Sequence, residues 1–174
     1  MVDTKRTVLI TGCSDGGMGS TLAMAFDDAG LRVIATARSP SKMNFPNHPR
    51  IDKIALDVQS DESIQNCVNQ LQSLDILVNN AGAGLLGPVS DISIKEAKEL
   101  YDLNVWAQLA MTQACLPLLL KSKQAVIVQH SSSELRVLSL RAILLTSSFC
   151  RCLHHPCSLS IDIQLLKSSA GYAV

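Results

Sequence analysis

The stretch TVLITGCSDGGMGS, residues 7–20, decides the fold. A short apolar run, Arg6–Thr11, ends at a glycine cluster, as a buried parallel strand does when it turns into a helix. Residues 18–29 continue at helical spacing through Leu22, Ala25, Phe26 and Ala29, and Gly30 supplies the stop. A glycine turn between a first strand and a first helix lets backbone N–H groups approach a pyrophosphate, and the helix N-terminus adds partial positive charge. Gly12 makes the turn, Gly17 and Gly19 allow close approach and tight packing, and Gly16 lengthens the loop by one residue.

The same alternation continues outward. RVIATA (32–37), DKIALD (52–57), DILVNNAG (75–82) and AVIVQHSS (125–132) read as strands. Between them lie SDESIQNCVNQLQSL, with Ile64, Cys67, Val68 and Leu71 on one stripe, and a long helix over residues 93–122. The long helix opens on a capping box, Ser93 with Glu96. Strands joined by crossover helices predict an α/β fold, a Rossmann-like doubly wound parallel sheet of order 3-2-1-4-5. The second strand ends ATARS, without the acid that holds a free ribose 2′-hydroxyl. Arg38 stands there instead, placed to pair with a 2′-phosphate, so the expected cofactor is NADP(H).

Bulk properties agree with one globular domain. The chain has 174 residues, 47% hydrophobic and 17% charged, with fifteen basic residues balancing fifteen acidic ones. No net field draws nucleic acid or an anionic membrane. The apolar run nearest to a spanning helix, Ala107–Leu120, is interrupted by Gln108, Thr112, Gln113 and Pro117. No signal-peptide pattern precedes the first strand, so an intracellular, cytoplasmic protein is expected. Cys13, Cys67 and Cys115 then read as small, reduced, buried hydrophobes.

After Ser132 the rhythm stops. Residues 133–174 contain only Glu134 and Asp162 as acids and only Gly171 as glycine. The expected division is therefore a nucleotide-binding domain over residues 1–132 and an irregular, divergent tail that is not an independent domain. The shift reads as an altered reading frame, a retained intron or a divergent truncation. A sheet ending at the fifth strand leaves an unpaired edge, which the alternating LRVLSLRAILL (135–145) could cover. The tail also gathers Cys150, Cys152, His154, His155 and Cys157. Thiolate and imidazole suit zinc, yet all five crowd into one knuckle, so no metal site is assigned and a metal-binding or partner-interaction tail is kept as a rival reading.

TGCSDGGMG, the LDV around Asp57, NNAG at 79–82 and the LNV holding Asn104 resemble the short-chain dehydrogenase/reductase family over residues 6–132. The glycine variant, ATARS and TQACLPLLL are most similar to its fungal NADPH-dependent 1-acyldihydroxyacetone-phosphate reductases. The resemblance implies reduction of a ketone, a small-molecule carbonyl substrate, and a peripheral place on lipid droplets or endoplasmic reticulum. It implies that Gly12, Ser14, Gly17 and Gly19 hold the pyrophosphate and Arg38 the 2′-phosphate. Asp57 and Val58 then face adenine, and Asn80, Ala81 and Gly82 support the nicotinamide side. As catalytic residues it implies Asn104, interrupting its helix to hold a proton-relay water, and Ser132, polarising the carbonyl.

The family's acid is the tyrosine of a Tyr-x-x-x-Lys pair. Leu145 stands where that tyrosine is expected and Phe149 where the lysine is, and neither residue type occurs from 133 to 166. Catalytic competence is therefore in doubt, and a non-catalytic NADP(H)-binding remnant is the alternative. The family's usual dimer interface also lies in this region, so a homo-oligomer would form on an incomplete surface.

Overall fold

The computed structural model describes residues 6–88 and 90–130 and the backbone of 161–165. Strand β1 (Thr7–Ile10) is followed by helix α1 (Met18–Asp28), β2 (Arg32–Ala37), β3 (Asp52–Ala55), α2 (Asp61–Val68), β4 (Ile76–Asn79), α3 (Ile94–Tyr101), α4 (Ala107–Leu119), β5 (Val126–His130) and β6 (Ile161–Leu165). The sheet order is β3-β2-β1-β4-β5-β6. The first five strands run parallel, in the predicted 3-2-1-4-5 order.

Both faces of this sheet are covered, because successive side chains on a strand point to opposite sides. Leu9, Leu77 and Ile127 pack with Ile64, Cys67, Met111 and Cys115 of α2 and α4. Val8, Ile10, Val33 and Val78 pack on the other face with Ala23 of α1 and with Met43 and Phe45. Nearly continuous apolar strands are what a sheet buried on both sides requires.

The helices follow their local signals. Ser60 accepts from the Ser63 amide to start α2, which ends at Val68, short of the fifteen-residue segment that the stripe suggested. The Ser93–Glu96 capping box is formed in both directions. The long helix over 93–122 is not continuous: a π-helical turn, Asp102–Trp106, separates α3 from α4.

The connection from β2 to β3 is fastened at two places. The Asp15 amide in the glycine loop donates to the Lys42 carbonyl at 2.8 Å. Asp27, buried near the end of α1, meets His48 Nδ1 at 2.9 Å and the Arg50 guanidinium at 3.1 Å. The His48 hydrogen bond, with Arg50 beside it, holds the Asp27 carboxyl below its ordinary range.

Of the tail expected to be irregular, residues 161–165 are among those described. Residues 161–165 are not irregular: they form β6, antiparallel to β5, with His130 opposite Ile161 and Val126 opposite Leu165. The edge of β5 is thus paired, by a different stretch from the one that the alternation suggested. LRVLSLRAILL lies outside the described residues, as does the Cys/His cluster.

Candidate functional site

The C-terminal ends of the parallel strands converge on a cleft of about 630 Å³. That is within the ordinary size range of small-molecule sites, roughly 300–1,000 Å³. It lies where open α/β sheets bind ligands, at the reversal of strand order between β1 and β4.

The glycine loop forms the floor. Gly12 has φ +74°, and a Cβ there would stand 2.9 Å from the Ala81 Cα. At Gly19 a Cβ would stand 2.5 Å from the Gly12 carbonyl oxygen and 2.6 Å from Asn80 Nδ2. Gly19 itself does not line the cleft; it lets α1 press against the loop from behind. No side chain caps the start of α1 and no acid occupies its first turn, so the helix end faces the cleft with its partial positive charge unanswered.

Thr11 and Asn80 lock β1 to β4 at this level. Thr11 Oγ1 accepts from the Asn80 and Ala81 amides, each at 2.9 Å. Asn80 Nδ2 donates to the carbonyls of Thr11 at 2.8 Å and Gly12 at 3.1 Å. Cys13 is fully buried in the loop, and desolvation pushes its thiol up to about 12, so it is packing material there and no nucleophile. Burial likewise raises Cys67 to about 11 and Cys115 to about 12.

Gly12, Ser14, Gly17 and Arg38 line the cleft, as do Asp57 and Val58 and then Asn80, Ala81 and Gly82. Asp57 Oδ1 accepts from the Gln59 amide at 3.0 Å. Asn104 lies just behind the lining. Its Oδ1 accepts from the Ala83 amide at 3.0 Å and its Nδ2 donates to the Ala83 carbonyl at 2.8 Å. The π-helical turn supplies the offset that aims this buried side chain at the Gly82–Ala83 backbone. Ser132 lies outside the described residues.

Two ionisable lining residues, Lys42 and His130, escaped the sequence reading. Lys42 joins Arg38 at the end of β2, brought back by the short turn Pro40–Lys42. The signal was the Ser-Pro step of RSPSK, which starts a tight turn after Arg38. His130 closes the β5 side, its Nδ1 2.9 Å from Asn80 Oδ1. Its place at the C-terminal end of a parallel strand, where open α/β sheets bind ligands, was the available clue. Among the described residues, no three acidic, histidine or cysteine side chains converge as metal ligands. None of their helices is long and apolar enough to cross a membrane.

A family profile described as short chain dehydrogenase matches residues 6–143. The chain belongs to this family. A short-chain dehydrogenase/reductase of Pestalotiopsis microspora is 55% identical over 132 residues, covering 76% of this chain and 49% of the relative. The NADPH-dependent 1-acyldihydroxyacetone phosphate reductase of Schizosaccharomyces pombe is 31% identical over 135 residues, covering 75% of this chain and 46% of the relative. Among solved structures, a short-chain dehydrogenase from Streptomyces avermitilis superposes with a TM-score of 0.61 at 30% identity, covering 70% of this chain and 47% of that one. The chain thus spans about half the length of the short-chain dehydrogenases it matches.

Proposed function

We propose that the cleft binds NADP(H) and serves an oxidoreductase that reduces a ketone to an alcohol. The observation that carries this reading is the pair of cations, Arg38 and Lys42, at the end of β2, where an acid would select the unphosphorylated cofactor. Two cations on one phosphomonoester give charge-assisted hydrogen bonds, the strong kind. The uncapped start of α1, with Gly12, Ser14 and Gly17, suits the pyrophosphate. Asp57 and Val58 are assigned to adenine, and Asn80, Ala81 and Gly82 to the nicotinamide side. When bound, the reduced nicotinamide supplies the hydride.

For the carbonyl, Ser132 is assigned the polarising hydroxyl. Asn104 is assigned the support of the proton relay, acting through the Gly82–Ala83 backbone that it holds. The S. pombe relative is named for an acylated dihydroxyacetone phosphate, and the keto group of such a lipid precursor is the proposed substrate class.

Thermal unfolding with and without NADPH, with NADH as control, tests the cofactor reading. NADPH at about one hundred times its Kd adds about 2.7 kcal/mol of stability, and the NADPH shift should exceed the NADH shift. Equal shifts, or none, would overturn it. A second reading, cofactor binding without turnover, is favoured by the absence of tyrosine and lysine from residues 133–166. NADPH oxidation against a panel of ketones separates the two readings. The comparison is a variant carrying Leu145→Tyr and Phe149→Lys. Turnover in the unaltered chain would dismiss the second reading.

A further inference from the structure

His130 ends β5 at the cleft wall, and no role falls to it in the reading above, on which the following inference rests. The hydrogen bonds around it fix its tautomer. Asn80 turns one side-chain atom toward two carbonyl oxygens, those of Thr11 and Gly12. Only the NH₂ group can satisfy that position, so the other atom, 2.9 Å from His130 Nδ1, is the amide oxygen. An amide oxygen has no proton to give. His130 Nδ1 therefore carries the hydrogen, and in the neutral ring Nε2 is left as a bare acceptor.

The sheet order says which part of a dinucleotide meets that acceptor. Arg38 follows the end of β2 and His130 lies at the end of β5, with β1 and β4 between them. Three steps of about 4.8 Å separate the two strands by roughly 14 Å. A dinucleotide with its 2′-phosphate on Arg38 and Lys42 lies across the strand ends, and its far half reaches β5.

We propose that His130 Nε2 accepts a hydrogen bond from the nicotinamide riboside half of the cofactor, from the carboxamide NH₂ or a ribose hydroxyl. Asn80 serves as the positioning residue that presents this nitrogen. Because Asn80 also holds the Thr11 and Gly12 carbonyls, one side chain ties the floor under the pyrophosphate to the group that receives the nicotinamide half.

The test compares dissociation constants for NADPH, its 3-acetylpyridine analogue and adenosine 2′,5′-bisphosphate in the unaltered chain and in His130→Leu. Loss of one hydrogen bond corresponds to about a tenfold weakening of NADPH, with the bisphosphate, which lacks the nicotinamide half, held within about twofold. Equal weakening of both ligands would mark His130 as merely structural and overturn the proposal, as would no weakening of either. The acetylpyridine analogue, which keeps the ribose and lacks the NH₂, separates the two donors. It matches NADPH if the donor is the ribose hydroxyl, and it is weaker and indifferent to His130→Leu if the donor is the carboxamide. If His130→Leu does not fold, nitrogen-15 spectra of the unaltered chain decide. Nε2 should move on adding NADPH and stay still on adding the bisphosphate, and an Nε2 indifferent to NADPH would sink the idea. If neither ligand binds the unaltered chain, the cofactor reading itself fails. Bisphosphate binding with no gain from the nicotinamide half overturns this inference alone.

Discussion

At the β2 end of the cleft, the wall is made by neighbours in sequence. The glycine loop, Arg38, Lys42, Asp57 and Val58 all come from residues 12–58, and backbone bonds such as Asp15 to Lys42 fasten them together. At the β5 end, the wall is assembled from distant segments. Asn80 reaches back to Thr11 and across to His130, while Asn104 reaches to Ala83. In the proposed reading the adenosine phosphate is thus gripped locally, whereas the nicotinamide end depends on three separated stretches meeting. Sequence change after residue 132 leaves the first untouched and bears directly on the second.

The largest effect expected is at the joint between the two ends. Gly19→Val places side-chain carbon against the Gly12 carbonyl and Asn80 Nδ2, with no room for either. Overpacking of this kind costs about 1–3 kcal/mol, and calorimetry should show a lower Tm together with complete loss of stabilisation by NADPH. Next, Arg38→Ala combined with Lys42→Ala removes both cations from the β2 end alone. With hydrogen bonds to charged groups worth about 1.5–3 kcal/mol each, titration should show NADPH weakened by about a hundredfold or more and NADH unchanged. An equal loss for NADH would place these cations elsewhere on the ligand.

Asn104→Ala probes the β5 end. Two hydrogen bonds to Ala83 disappear, at a cost of about 1–2 kcal/mol in stability. NADPH affinity should fall while adenosine 2′,5′-bisphosphate affinity holds. The effect least informative about either end is spread through the core and shows only at high pH. Cys13, Cys67 and Cys115 titrate above their ordinary value of about 9 when folded, at about 12, 11 and 12. The unfolded chain therefore releases these protons first. Stability from this source is full below pH 9 and declines as pH rises toward 12. Melting curves across that range should show Tm falling, and falling less steeply in Cys67→Ala.

The contrast between the two ends also explains what could be read from the chain. Five strands and their order were legible because the runs of β1, β2 and β4 are short, apolar and buried on both sides, and those of β3 and β5 fall in the same strand–helix rhythm. The place of Arg38 in the cleft wall was legible because it directly follows the second strand, at the C-terminal edge of the sheet. Lys42 was not, since its place depends on a three-residue turn folding back. His130 was passed over because its meaning lies in a partner fifty residues away, a distance that no periodicity reports. The break at Asp102–Trp106 was foreshadowed only through Asn104, since its residues suit an ordinary helix equally well. Strand β6 carried too short a pattern to be told from the alternating stretch before it.

The direction of β6 has a topological consequence. A parallel neighbour of β5 would require the chain to cross to the opposite end of the sheet before re-entering it. An antiparallel one does not. His130 and Ile161 are register partners, so the chain leaves β5 and enters β6 at the same end of the sheet, one strand spacing apart. Closing such a circuit costs free energy that grows only with the logarithm of its length, about 0.6 kcal/mol per doubling. By that scaling, the length of the interval weighs little beside the β5–β6 pairing that closes it.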